Sequence, residues 1–207
     1  TASGVYTSTT LNASGCLHTS TLNLTINNAC TTTINLKCFI QSYWNGLNGM
    51  VPVLANQGQA ANSTDCDTIT IELHNSNSPY GLLYSTNAVL QQNGTASCVF
   101  TSIVPSGNYY LVVKHRNSIE TWSDNPITYT GPSNPINYDF TLAPSKAYGS
   151  NQVEVSPGVW AFYSGDVFKE ASESIDLLDI SAIEADINNF TFGYDASDIN
   201  GDGNVDI

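Results

Sequence analysis

Apolar and polar residues alternate with a period of two along the first 142 residues, which limits what this chain can fold into. The alternation is clearest in residues 22–26, 34–40 and 69–73. A period of two is typical of half-buried β-strands. Residues 109–113, Tyr-Tyr-Leu-Val-Val, predict a central strand that begins after a Pro-Ser-Gly-Asn turn. Short strands at this spacing predict a mainly β fold, an Ig-like Greek-key β-sandwich.

Charge is distributed unevenly along the 207 residues, which carry 18 acidic and 5 basic side chains and a formal net charge of -13. Residues 1–36 contain no Asp, Glu, Lys or Arg, whereas residues 151–207 contain 12 of the acids and a single base. We therefore predict three parts: a Thr/Ser/Asn-rich β segment at 1–36, a β-sandwich domain at 37–150 and an acidic tail at 151–207. The negative charge argues against nucleic-acid binding and against a polybasic membrane contact. No apolar run reaches the roughly 20 residues of a membrane span.

Five cysteines lie in the first half of the chain: Cys16, Cys30, Cys38, Cys66 and Cys98. They show no Cys-x-x-Cys spacing and no accompanying histidine cluster, so a zinc site has little support. Two disulfides and one remaining thiol in an oxidising compartment are the simplest interpretation. The spacing leaves the pairing open.

The tail contains a motif with the spacing of an EF-hand-type calcium loop. Positions 1, 3, 5, 7 and 9 are Asp198, Asn200, Asp202, Asn204 and Asp206, and position 6 is Gly203. Calcium prefers six to eight oxygen ligands, and these residue types at this spacing supply them. Position 12 would fall at residue 209, so we expect weaker binding than in a full loop and a chain that belongs to a longer polypeptide.

A helix of about 12 residues is predicted before that loop, because apolar residues recur every three or four positions from Leu177 to Phe190. A second, irregular calcium loop precedes this helix, with Asp166, Asp176 and Asp179 as its candidate ligands. The alternative is that Asp176 and Asp179 only favour the helix N-terminus.

Two calcium loops flanking a short helix resemble a dockerin-type module. The wider chain resembles the C-terminal portions of very large, repeat-rich Bacteroidetes surface proteins. The segments that carry this likeness are Ser3-Gly4-Val5-Tyr6, Ser14-Gly15-Cys16, Thr21-Leu22-Asn23-Leu24-Thr25-Ile26, Met50-Val51-Pro52-Val53-Leu54, Asp67-Thr68-Ile69-Thr70-Ile71-Glu72-Leu73-His74, Val113-Lys114-His115-Arg116-Asn117-Ser118-Ile119-Glu120-Thr121-Trp122-Ser123 and Gly158-Val159-Trp160-Ala161-Phe162-Tyr163-Ser164-Gly165-Asp166-Val167. The resemblance implies export by the type IX route and an extracellular or cell-surface location. It also implies that residues 1–36 form the end of an extracellular repeat.

Lys114, His115 and Arg116 gather basic groups close to Trp122. We interpret them either as a contact for an acidic partner or as charges that protect an edge strand from unwanted pairing. Aromatic residues such as Tyr43, Trp44, Trp122 and Trp160 predict either a sugar-binding platform or parts of the core. No nucleophile elbow, phosphate loop or paired histidine motif accompanies the three histidines, so we do not expect an enzyme.

The expected function is therefore structural or adhesive: a module of a giant surface adhesin or a subunit of a cell-surface filament, stabilised by calcium and disulfides. Its partners would be copies of itself or neighbouring repeats of the same long chain. The alternative is a binding module, in which the tail docks on a protein or the sandwich binds a surface glycan.

Overall fold

The computed structural model describes residues 3–25, 31–47, 49–170 and 174–206 of a mainly β protein. Contacts divide the chain into two compact units, Thr1–Cys30 and Thr31–Ile207. The strands are β1 Gly4–Leu11, β2 Leu17–Leu24, β3 Thr32–Lys37, β4 Asp65–Asn75, β5 Leu82–Gln91, β6 Thr95–Phe100, β7 Gly107–His115, β8 Ser118–Trp122, β9 Ile127–Tyr129, β10 Ile136–Asp139, β11 Val153–Ser156 and β12 Val159–Ala161. The helices are α1 Val53–Asn56 and α2 Leu177–Asn188.

The first unit is a β-hairpin in which β1 pairs antiparallel with β2 from Gly4↔Leu24 to Leu11↔Leu17. Its turn is closed by the Asn12 amide, which donates to the Cys16 carbonyl oxygen at 2.9 Å. Among residues 3–25, none is buried. A two-stranded hairpin without a covered face is marginally stable at best on its own.

The second unit contains two main sheets in its described residues. One has the order β5-β4-β7-β8, with β9 also pairing with β7. The other has the order β10-β3-β6, in which β10 runs parallel to β3 and β6 runs antiparallel to it. The sheets face each other across one core, because the alternating apolar residues of both sheets belong to the same buried cluster. These residues include Ile34, Leu36, Ala96, Cys98, Phe100, Ile69, Ile71, Leu73, Leu111 and Val113.

Strand β3 lies in this core although it falls within the predicted 1–36 segment. Ile34 and Leu36 are buried because β3 is the central strand of the three-stranded sheet. The first compact unit ends at Cys30, which is six residues before the end of the uncharged segment at residue 36. The Ig-like connectivity stays a prediction.

The predicted disulfides are not present among the described cysteines. Cys16, Cys38, Cys66 and Cys98 all carry free thiols, and Cys30 lies outside the described residues. The last three of those thiols are buried in the apolar core, where cysteine packs as a small hydrophobic side chain. Burial raises the pKa of both Cys66 and Cys98 to about 12. These thiols fill core volume and do not cross-link strands.

Helix α2 forms where the apolar spacing predicts it. Its N-terminus is closed by a capping box, in which the side chains of Asp176 and Asp179 each accept from a backbone amide. Ile183 and Ile187 are half-buried, but Leu177 and Ile180 are exposed. Within the described ranges, no helix is both long enough and apolar enough to span a membrane.

Candidate functional site

Lys114, His115 and Arg116 line one pocket at the end of β7, together with Lys169 and Tyr194. Lys114 forms ion pairs with Glu120 at 2.8 Å and Glu72 at 3.6 Å. His115 is buried, and Arg116 is mostly buried beside Asp67. Strand β7 lies between β4 and β8, so the edge-strand interpretation is wrong. A contact with an external acidic partner stays a prediction.

Asp67 on β4 is the centre of a buried polar cluster. Its Oδ2 accepts from Tyr43 Oη at 2.9 Å and from Arg116 Nε at 3.0 Å, and its Oδ1 accepts from the Tyr194 hydroxyl. His115 Nε2 lies 3.2 Å from the same Oδ2. The Arg116 guanidinium also lies 4.5 Å from the Tyr194 ring centroid, a cation–π contact. Several partners therefore satisfy a carboxylate that has no exposed surface.

The electrostatics of this cluster keep Asp67 ionised. Burial opposes its ionisation, but His115 and the Arg116 guanidinium outweigh that effect and hold the pKa of the carboxyl below its ordinary range. Burial lowers the pKa of His115 despite the nearby carboxylate, so the imidazole is neutral at neutral pH. Burial, together with the charge of Asp67, raises the pKa of Tyr194 to about 12. The cluster is thus an ion pair between Asp67 and Arg116, surrounded by neutral donors.

Asn117 and Ser42, which lie beside this cluster, hold the acidic tail against the sheets. Asn117 Nδ2 donates to the Asp198 carbonyl oxygen at 3.2 Å, and Ser42 Oγ donates to the Ile199 carbonyl oxygen at 2.5 Å. A Cβ added to Gly201 would lie 2.2 Å from a methyl carbon of Val53 on α1. Only a glycine fits there, so the start of the predicted calcium loop packs directly on the sandwich.

Residues 198–206 fold as a tight loop in which side-chain oxygens accept from nearby backbone amides. The two carboxylate oxygens of Asp198 accept from the amides of Gly201 at 2.9 Å and Gly203 at 3.0 Å. Asn200 Oδ1 accepts from the Asp202 amide at 2.9 Å. Asp202 Oδ1 accepts from the Asn204 amide at 2.8 Å. Gly203 has φ +93°, a conformation that strains other residues, at the position where an EF-hand loop turns sharply.

The donor set of this loop fits calcium in its chemistry. Asn200, Asn204 and Asp206 line one pocket beside Ile183 of α2, so three of the five predicted ligands lie around a common space. Asp198 is buried, and none of the described basic side chains forms an ion pair with it. Burial raises the pKa of its carboxyl, and a bound cation would offset that effect. In the part of the chain that the structure describes, no group of three His, Cys, Asp or Glu side chains is placed to hold a metal. Calcium in this loop stays a prediction.

The candidate ligands of the first loop have other partners. Asp179 Oδ1 accepts from the amides of Val167 at 2.8 Å and Phe168 at 2.9 Å. Asp176 caps α2, as the alternative interpretation expects. Asp166 is buried, and its Oδ2 lies 2.6 Å from Lys169 Nζ. An ammonium group therefore neutralises the carboxylate that would open a calcium loop.

The four predicted platform aromatics do not meet. Tyr43 is in the core, Trp44 packs on Phe39, and Trp160 lies on the β11–β12 hairpin. Trp122 instead lines a cleft with three tyrosines that the sequence analysis did not select.

No protein-family model matches the chain, and no curated protein matches it significantly. Among solved structures, it is similar to chains from an N-terminal and a C-terminal interface mutant of a type II cohesin–X-dockerin complex from Acetivibrio cellulolyticus. The sequence identities are 15% and 16%, and the TM-scores are 0.39 and 0.41. The alignments cover 84% of this chain and 86% and 87% of those chains. TM-scores below 0.5 do not establish a shared fold, so this likeness carries no argument about function.

Proposed function

We propose that this chain is a non-enzymatic extracellular module with a structural or adhesive function, an Ig-like sandwich with a dockerin-like tail that calcium stabilises. The first unit would join the module to its neighbours, either copies of itself or adjoining repeats of a longer surface protein. In this proposal the protein belongs with the repeat-rich Bacteroidetes surface proteins that its sequence resembles.

The open hairpin of β1 and β2 is the observation that carries the proposal. It exposes Val5, Leu11, Leu17 and Leu22 and has no Asp, Glu, Lys or Arg on either strand. Charges along an edge are a common way to prevent pairing with other chains, and this hairpin lacks them. Adding it to another sheet would satisfy its outer backbone groups and cover its apolar side chains.

The register of the hairpin identifies the amides available for such pairing. Because Asn12 and Cys16 form a hydrogen-bonded pair, the bonded pairs fall at even-numbered residues of β1. The amides of Thr7 and Thr9 then point away from β2. Proline at these two positions removes outward donors without breaking the hairpin's own ladder.

Light scattering on the full chain in millimolar calcium tests the proposal. We expect assemblies larger than a monomer, and we expect Thr7→Pro/Thr9→Pro to reduce them to monomers. Thr7→Ser/Thr9→Ser is the matched control, because it keeps both amides and should assemble normally. A chain that is monomeric at all concentrations, or a proline variant that assembles as well as the control, would refute strand addition.

An exposed apolar surface on the tail favours a second candidate function, docking on a protein partner. Leu177, Ile180, Phe190 and Phe192 are at least half exposed, and two of them are more than four-fifths exposed. Leu177 and Ile180 are one turn apart on α2, Phe190 and Phe192 follow its C-terminus, and exposed apolar patches mark protein interaction sites. Crosslinking the chain within its native extracellular material, with Phe190→Ser/Phe192→Ser as the comparison, separates this function from the first. A partner lost only in this variant supports docking, whereas an unchanged crosslinking pattern excludes it.

A further inference from the structure

Four aromatic side chains line a cleft on the face of the five-stranded sheet that lies opposite the core. Tyr110 and Trp122 belong to β7 and β8, Tyr80 to the β4–β5 loop, and Tyr148 to a short 3-10 helix at Tyr148–Ser150. The cleft has a volume of about 310 Å³. Pockets for small ligands range from roughly 300 to 1,000 Å³, so this one has room for a ligand of sugar size.

The rings hold one another in fixed orientations. Tyr110 contacts Tyr80 edge-on, with ring centroids 5.7 Å apart, and contacts Trp122 at 5.8 Å. His74 packs against Trp122 from β4 at 4.6 Å. Tyr80 and Tyr148 nevertheless remain 45% and 66% exposed. Aromatic surface is thus kept in water at the cleft that these four rings line.

The backbone around Tyr80 is strained in a way that positions its ring. Its φ of 56° lies in the left-handed region, which a bulky residue rarely adopts. His74 Nδ1 lies 2.8 Å from the Tyr80 carbonyl oxygen, and the Tyr80 amide donates to the Asn77 carbonyl oxygen at 2.9 Å. Backbone strain of this kind persists only where surrounding contacts enforce it, and such strain concentrates at ligand sites.

The charges near the cleft favour an uncharged ligand. Glu120 accepts from Trp122 Nε1 at 2.5 Å and forms an ion pair with Lys114 at 2.8 Å. Glu72 lies 2.8 Å from His74 Nε2. Both carboxylates therefore have partners within the chain. Among the described residues, those that line the cleft are all aromatic and uncharged.

We propose that this cleft binds a neutral pyranose unit of a glycan. The C–H groups on one face of a pyranose ring carry partial positive charge and pack well on the negative face of an aromatic ring. Tyr80, Tyr110 and Tyr148 line the cleft, and their hydroxyls can bond to the sugar hydroxyls. A quaternary ammonium would also suit aromatic rings, but it would gain nothing from these hydroxyls, and the described residues that line the cleft include no carboxylate.

The inference rests on the proposed adhesive function, to which it adds a class of ligand. It is tested on the Thr7→Pro/Thr9→Pro variant as well as on the unsubstituted chain, so that failure of assembly and failure of sugar binding give separate results. Calorimetry and tryptophan fluorescence titrations use cellohexaose, mannohexaose and xylohexaose, with choline chloride as a cationic probe.

We expect at least one hexasaccharide to saturate the chain with a millimolar or tighter Kd. Tyr148→Ala should weaken that binding about tenfold or more, because it removes an exposed wall of the cleft. Trp122→Phe retains an aromatic ring and should weaken binding less. Leu142→Ala, which changes an exposed apolar residue outside the cleft, should have no effect. No saturable binding of any hexasaccharide, equal binding by Tyr148→Ala, or saturation by choline alone would overturn the proposal.

Discussion

Replacing Asp67 by Asn should destabilise the second unit strongly, because it removes the carboxylate that pairs with the mostly buried Arg116 guanidinium. The carboxylate is fully buried, and Arg116 Nε lies 3.0 Å from its Oδ2. Removing one partner of a buried ion pair costs about 3–5 kcal/mol, since the other charge stays buried without compensation. A domain of this size is stable by about 5–15 kcal/mol. The midpoint of thermal unfolding should therefore fall by at least roughly 6–12 °C.

Calorimetry and urea unfolding followed by tryptophan fluorescence measure this loss. Glu184→Gln, at an exposed position of α2, is the control and should change stability by less than about 0.5 kcal/mol. The double variant Asp67→Asn/Arg116→Gln should lose less than the sum of the two single variants, because it leaves no unpaired charge. A loss below about 1 kcal/mol for Asp67→Asn, or simple additivity in the double variant, would refute the ion-pair explanation.

Four further predictions follow from the same contacts. Calcium at a hundredfold excess over Kd should raise the free energy of unfolding of the unsubstituted chain by about 2.7 kcal/mol. In calorimetry it should leave the stability of Asp198→Ala unchanged. Gly201→Ala should cost about 1–3 kcal/mol in urea unfolding, because its φ is +76° and the added Cβ would lie 2.2 Å from a valine methyl group. The pKa of His115 is lower in the folded chain than in the unfolded one, so the unfolded chain binds the proton more tightly. Stability should therefore fall as the pH drops below about 6.5. His115→Asn should make stability depend less on pH in unfolding curves measured from about pH 7 to 5. Cys66, with a pKa of about 12, should react with a thiol reagent only after unfolding, whereas exposed Cys16 should react in the native chain, as peptide mass mapping will show.

The period-two pattern predicts two members of the buried polar cluster around Asp67, Asp67 itself and His115, that we did not infer from the sequence. Asp67 precedes Ile69 by two residues, and His115 follows Val113 by two, so both stand at positions that face the core. An acid and a histidine at core-facing positions of two central strands indicate a buried polar pair. Another member, Tyr194, could not be identified in this way because it lies 127 residues from Asp67 in sequence.

The aromatic cleft shows why other features could be identified only from the folded structure and not from the sequence. Tyr80 and Tyr148 lie in turns, where periodicity says nothing about which way a side chain points. Tyr148 comes close to β8 because Ala147 forms a bridge with Ser123, a pairing without a sequence signal. The basic run is the opposite case: its residues are adjacent in sequence and line one pocket, but the carboxylates that pair with Lys114 and Arg116 come from other strands, β8 and β4.

Amino-acid composition along this chain predicts how charge is distributed, but it does not mark where the structural units begin and end. The uncharged segment extends into β3, the central strand of the smaller sheet, because a buried strand needs no charges. At the other end, the acidic tail begins near residue 150, yet Tyr194 and Asp198 bond to side chains that follow or lie within the sandwich strands. A cation bound in the 198–206 loop would therefore act on Asp198, whose carbonyl oxygen accepts from Asn117 beside the Asp67 cluster. Calcium binding and the stability of the sandwich should then change together, because a ligand that binds only the folded state stabilises every part that unfolds with its site.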